Sequence, residues 1–286
     1  MASFAERMGL RETRTLIQSN SLDEETRVDL WNVLVILREI FEQQLDRYHD
    51  SGPTHRDLLT SLWMNHFKQP RDDEPHPSTL WLKIKEEVLT GEWFDVLDLF
   101  ERVVKALGRT DEQRGETNSA PFADALNDRF EHYLVGYRFI GKEVTPIDSN
   151  AEAESVSAAI EDADAIAGAR HSLERAVELL ADRTNPDYPN SIKESISAVE
   201  AVTKKITGET TLGAGLKKRE AKRLLIHPAL KEAWLKIYGW TSDESGVRRG
   251  AIEAASVDQT MAKYMLVSCS AFVSYLIEEG RKAQLI

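Results

Sequence analysis

From residue 22 to 48, apolar side chains return every three or four positions. Leu30, Leu34, Leu37, Phe41, Leu45 and Tyr48 line one face of an expected helix over 22–48. Ser21, three residues before Glu24, has the spacing of a capping box and is the expected cap. Similar periodicity predicts helices over 56–68, 79–89 and 92–107, the last carrying Trp93, Leu97, Phe100, Val104 and Leu107 and ending at Gly108. The prolines of QPRDDEPHPS and the polar run GRTDEQRGETNS read as loops. Phe122, Leu126, Phe130 and Leu134 then mark a helix over 121–134, with Ser119 near its cap.

The period changes at YRFIGKEVTPI (137–147). Two short β-prone runs flank Gly141-Lys142, so a small hairpin is expected, with a domain boundary close behind it at residue 148. Helical spacing resumes as one long helix over 151–181. A second helix, capped by Asn190 and closed by Gly208, has Ile192, Ile196, Val199 and Thr203 on its inner face. Further helices are expected over 212–225, from Pro228 to a stop at Gly239, and over 257–279. The chain is therefore read as mainly α: a helical domain with a small β-hairpin over 1–148, then a helical bundle over 149–286.

Composition narrows this picture without changing it. The 286 residues are 42% hydrophobic, enough for one large or two ordinary cores. The single cysteine, Cys269, excludes an intramolecular disulfide framework and fits a reducing, cytoplasmic setting. The N-terminus lacks the apolar core of a secretory signal. The most apolar run, YMLVSCSAFVSYLI (264–277), is short for a bilayer span and contains three serines, so a core helix is expected and no membrane partner. A net charge of −12 opposes broad binding to polyanions, so nucleic-acid chemistry would need a small basic patch.

Few residues point to chemistry. The seven histidines have no metal-ligand spacing, LGAGL (212–216) lacks the strand context and lysine of a phosphate loop, and neither metal nor cofactor is expected. Arg248 and Arg249 sit side by side in the polar turn TSDESGVRRG (241–250). They read either as a salt-bridged surface loop with Asp243 and Glu244 or as a phosphate clamp, because guanidinium donors match phosphate oxygens in pairs. Glu194 and Glu200 lie on the helix after NPDYPN, either as surface charges of an amphipathic helix or as orienting groups of that clamp.

These residues carry a family resemblance. FAERMGLRETRTLIQSNSLDEETRVDLWNVL (4–34) and LNDRFEHYLVGYRFIGKEVTPI (126–147) resemble an N-terminal domain type of AbiJ-like abortive-infection proteins. NPDYPNSIKESISAVEAV (185–202) and HPALKEAWLKIYGWTSDESGVR (227–248) resemble the HEPN domains attached to such modules. The resemblance implies a sensor or regulatory domain followed by a HEPN-like helical domain. Such a domain would form a homodimer and act as a metal-independent ribonuclease in phage defence, with its site at the subunit interface. An unknown phage or host trigger would activate it.

In this subgroup a histidine is expected directly after the arginine that Arg248 matches, and Arg249 stands in its place. A histidine with a pKa near ~6.5 can carry a proton at neutral pH, whereas an arginine above ~12 only stabilises negative charge. The resemblance thus implies RNA as substrate or ligand, with Arg248, Arg249, Glu194 and Glu200 as its site and cleavage impaired. The alternative is a non-catalytic dimeric interaction protein that binds RNA or a phage or host protein.

Overall fold

In the computed structural model, described for Phe4, Met8, 16–48, 53–115, 117–182, 186–218, 226–242 and 257–286, the chain is mainly helical, at 76% helix. It divides into two compact units between Val144 and Thr145; the sequence reading set the boundary at residue 148.

The first unit holds α1 (Glu24–Tyr48), α2 (Pro53–Asn65), α3 (Pro77–Thr90), α4 (Trp93–Arg114) and α5 (Ser119–His132), followed by the hairpin strands β1 (Arg138–Ile140) and β2 (Glu143–Thr145). The hairpin turns on Gly141, whose φ of +59° explains the glycine there. Leu30, Leu34, Leu37 and Phe41 are buried as expected, in one core with Leu59, Leu62, Leu80, Ile84, Leu99 and Phe130. The side chains of Leu45 and Tyr48 lie outside the described residues.

Three local expectations for this unit are corrected. Asp23, not Ser21, caps α1, because its carboxylate accepts the Thr26 N–H at 2.9 Å and the Thr26 hydroxyl at 2.7 Å. The fourth helix does not stop at Gly108 but continues to Arg114, ending on Gly115 in the left-handed region (φ +67°). Gly108 is an approach site: a Cβ there would lie 2.4 Å from Lys142 Cε, whose stem crosses the helix to pair with Glu112. The added turns place Asp111 where its carboxylate accepts the N–H groups of Asn118 and Ser119, a cap for α5 supplied by the preceding helix. Finally, α5 ends at His132, and Leu134 takes a positive φ of 51°, a conformation that costs a β-carbon about 1 kcal/mol or more. Gln18 holds that turn in place: its N–H donates to Leu134 C=O, its carbonyl accepts from Gly136 N–H, and its side-chain amide donates to Tyr133 C=O and Thr26.

A two-stranded sheet leaves both edges open, and two helices close them. Asn127 on α5 pairs with Phe139 of β1 through both ends of its amide, at 2.7 and 3.0 Å. On the other side Glu101 accepts the Val144 N–H, and Lys105 bridges Glu101 and Glu143. Beneath the hairpin lies Arg138, 1% exposed, donating to the carbonyls of Val135 and Tyr137 at 2.7 Å each and pairing with Glu131.

The second unit contains α6 (Asn150–Asp162), α7 (Ala167–Ala181), α8 (Tyr188–Thr207), α9 (Leu212–Lys218), α10 (Pro228–Ser242) and α11 (Gln259–Lys282). The expected single helix over 151–181 is two helices joined by a 3-10 turn, Ala163–Ala165, with the chain re-aimed at Ile166 (φ −128°, ψ 72°). The break serves burial: α6 packs Ala153, Val156 and Ala159, while α7 packs Leu173, Ala176, Val177 and Leu180 mainly on α8. Asp187, not Asn190, caps α8; Gly208 (φ +78°) closes it, and the four inner-face residues are all buried. α10 runs through Gly239 to Ser242, and the part of the 212–225 expectation beyond Lys218 lies outside the described residues.

α11 is long and apolar enough to cross a membrane by length and composition alone. In this unit its inner face buries Ala262, Met265, Leu266, Cys269, Phe272, Val273, Leu276 and Ile277. Burial pushes the Cys269 thiol pKa up, as expected of a packing cysteine.

Candidate functional site

Of the four residues singled out in the sequence, two are placed. Glu194 and Glu200 are both half-buried on α8, six residues apart. At 100° per residue that separation turns them to different faces of the helix. Glu200 looks toward α10: its carboxylate accepts the Tyr238 hydroxyl at 2.7 Å. A hydrogen bond to a charged acceptor is stronger than a neutral one, so this contact fixes both the carboxylate and the last turns of α10. Glu194 makes no side-chain hydrogen bond or ion pair among the described residues. Arg248 and Arg249 lie outside the described residues, six and seven positions beyond the end of α10 at Ser242.

The scaffold under Glu200 accounts for its position. The buried hydroxyls of Ser195, Thr203 and Thr207 each donate to the carbonyl four residues back, and Ser191 donates to Ala176 C=O, so α8 satisfies its polar inner-face atoms and sits close to α7. LGAGL has a packing role there: a Cβ on Gly215 would lie 2.1 Å from Thr203 Cγ2, so α9 reaches α8 only because that position is bare. Across the unit, Trp234 of α10 stacks on Phe272 of α11 with ring centres 4.0 Å apart, holding the helix that carries Tyr238.

The first unit carries a cavity that sequence reasoning did not single out. It has a volume of about 510 Å³ and lies where the ends of α2 and α3 meet the start of α4. The His66 side chain, 8% exposed, hydrogen-bonds through Nε2 to Glu87, and Glu86, Asp95 and Asp98 complete an acidic lining. Lys83 also lines the cavity, its ammonium resting over the rings of Phe67 (4.6 Å) and Trp63 (5.4 Å), one cation among four carboxylates. Asp95 is accordingly held above the ordinary carboxylate range, by burial and by the charge of Glu87, with His66 pulling the other way. Glu87 and Thr90 lie four and seven residues after Lys83, and Asp95 and Asp98 three apart, spacings that in sequence look like any solvated helix face. Only the tertiary convergence of three helix ends makes them one site.

This field opposes a phosphate. The charge balance of the units agrees, with 27 acidic against 18 basic residues over 1–144 and 21 against 18 over 145–286. No cluster of three or more side chains suited to a metal occurs among the described residues.

Comparison with known proteins adds one match. The family model of the AbiJ N-terminal domain 4 matches residues 2–162. It does not reach Glu194, Glu200, Arg248 or Arg249. No curated protein and no solved structure matches the chain.

Proposed function

The chain belongs to the AbiJ N-terminal domain 4 family, whose model covers more than half of it, and on that premise we propose that it is an abortive-infection defence protein that engages RNA through its second unit. The family match carries the defence role. The resemblance of 185–202 and 227–248 to HEPN domains carries the RNA step, and two features support locating it in the second unit. The acidic cavity and the −9 balance of the first unit repel phosphate, and Glu200, fixed by Tyr238, stands at the foot of the segment leading to Arg248.

In this reading Arg248 grips a backbone phosphate and Glu200 orients the arginine, in a homodimer that presents the pair twice. Cleavage requires removing a proton from the 2′-hydroxyl as its oxygen attacks phosphorus, and delivering one to the departing 5′-oxygen. Arg249 stays protonated and performs neither transfer, although it stabilises charge on the phosphate. The chain therefore binds RNA better than it cuts it.

The test pairs phage challenge of cells expressing the full chain with RNA binding and cleavage by the purified protein. Arg248→Ala is expected to lower RNA affinity and abolish protection; Arg249→His is expected to gain cleavage that Arg248→Ala removes. A stable dimer without RNA affinity at low salt would refute the RNA step and favour a non-catalytic interaction role. Unchanged plaque numbers for the wild-type chain across diverse phages would refute the defence role.

A further inference from the structure

The family-matched segment ends at residue 162, yet the first compact unit ends at Val144. The difference consists of a short connector and α6. That helix buries Ala153, Val156 and Ala159, and Ala163 follows in register, so its inner face is a row of small apolar side chains. The row packs on α11 and, to a lesser degree, on α7, both of which lie beyond the family match. Ion pairs hold the two ends of the contact. Lys263 near the start of α11 pairs with Asp148 and Glu152, and Arg281 near its end pairs with Asp162 at 3.2 Å. Burial alone would lower the Lys263 pKa, but its hydrogen bond to Asp148 and its ion pair with Glu152 outweigh burial and hold it above the ordinary lysine value.

We infer that α6 is a docking helix: the family segment's last element is built to insert into a following helical unit and to fold with it. The partner it fits is a helical bundle offering one long helix with an apolar face and a cation near each end, here α11. The connector 145–149 then joins the first unit to a helix whose stability comes from the second. A segment cut at residue 162 would leave a face of Ala153, Val156, Ala159 and Ala163 exposed. The inference rests on packing and on the extent of the match, and is independent of the RNA reading.

Hydrogen exchange of the full chain, followed by mass spectrometry through rising urea, tests it, because elements that open together lose protection together. Amides of 150–162 are expected to open with those of 259–282 and not with those of 93–114. Arg138→Met, which weakens the first unit, is expected to speed exchange in 93–114 at least tenfold and leave 150–162 unchanged. Val156→Asp is expected to speed exchange in 259–282 and labelling of the Cys269 thiol at least tenfold, with 93–114 unchanged. Loss of protection of 150–162 together with 93–114 would overturn the inference, as would uniform opening of the whole chain.

Discussion

Replacing Arg138 by Met removes the guanidinium beneath the hairpin while keeping most of the aliphatic volume. Its partners divide by exposure. The Val135 and Tyr137 carbonyls each accept a 2.7 Å bond from a side chain 1% exposed, whereas Glu131 is about half exposed and can turn to water. The Glu131 pair therefore adds little once solvent screening is counted. Each buried carbonyl left without a donor costs about 1–3 kcal/mol, which puts the substitution near ~4 kcal/mol. At about 0.05–0.15 kcal/mol per residue, a unit of this size has roughly 7–20 kcal/mol in all, so the loss is severe but survivable. With a urea dependence of about 2 kcal/mol per molar, the first unit's midpoint should fall by about 2 M. Trp31, Trp63, Trp81 and Trp93 report that transition by fluorescence. Labelling of Cys269 reports the second unit, where no change is expected. Arg138→Lys, which keeps donors but loses the fork, should fall between wild type and Met. A midpoint shift below about 0.5 M for Arg138→Met would refute the argument, because the carbonyls would then have another donor.

Three further outcomes follow from the same physics. Burial raises the Asp111 pKa, but bonds from Ser119 and Asn118 outweigh it and hold the carboxyl below its ordinary range; its contribution is complete above the unfolded value near ~3.9 and is lost as pH falls through the folded value. Asp111→Ala should therefore cost about 1 kcal/mol at pH 7, by urea titration, and less once the carboxyl is protonated in both folded and unfolded states. Asp95 has the opposite sign, since its folded pKa is raised; Asp95→Asn should raise the first unit's urea midpoint at neutral pH, with the gain vanishing below the ordinary carboxylate range. Gly215→Ala should destabilise the second unit by about 1–3 kcal/mol, read from Cys269 labelling in urea, and Thr203→Ser in the same chain should restore part of the loss.

The periodic parts of the chain were legible. The apolar stripe of α1, the inner face of α8 and the mainly helical class follow from spacing, because burial of one face imposes it, and the Gly141-Lys142 hairpin follows from a turn between two β-prone runs. The departures occur where a distant residue changes a local preference. Gly108 looks like a stop until Lys142 is seen lying across it, and the start of α5 near Ser119 shows its cap only when Asp111 is brought back to it by the turns of α4 beyond Gly108. The 151–181 helix breaks because its halves pack on different helices, a demand that periodicity along one strand of sequence does not contain. Arg138 and Gln18 carried no signal at all, since an isolated arginine or glutamine is ordinarily exposed and only tertiary closure makes either one buried.

The same reasoning separates the two candidate chemistries. The acidic cavity was illegible because its groups come from three helix ends, and its charge sets it against phosphate. Glu200 was legible as a charge beside an inner-face residue, and its bond to Tyr238 gives that position a consequence: it couples α8 to the end of α10, from which the chain proceeds to Arg248. If the RNA reading holds, Tyr238→Phe should weaken RNA binding without contacting RNA, by removing the bond that ties the carboxylate to the end of α10, while leaving Cys269 labelling nearly unchanged. Equal RNA affinity in Tyr238→Phe and wild type, beside a clear loss in Arg248→Ala, would leave the arginine as the phosphate grip and remove Glu200 from its support.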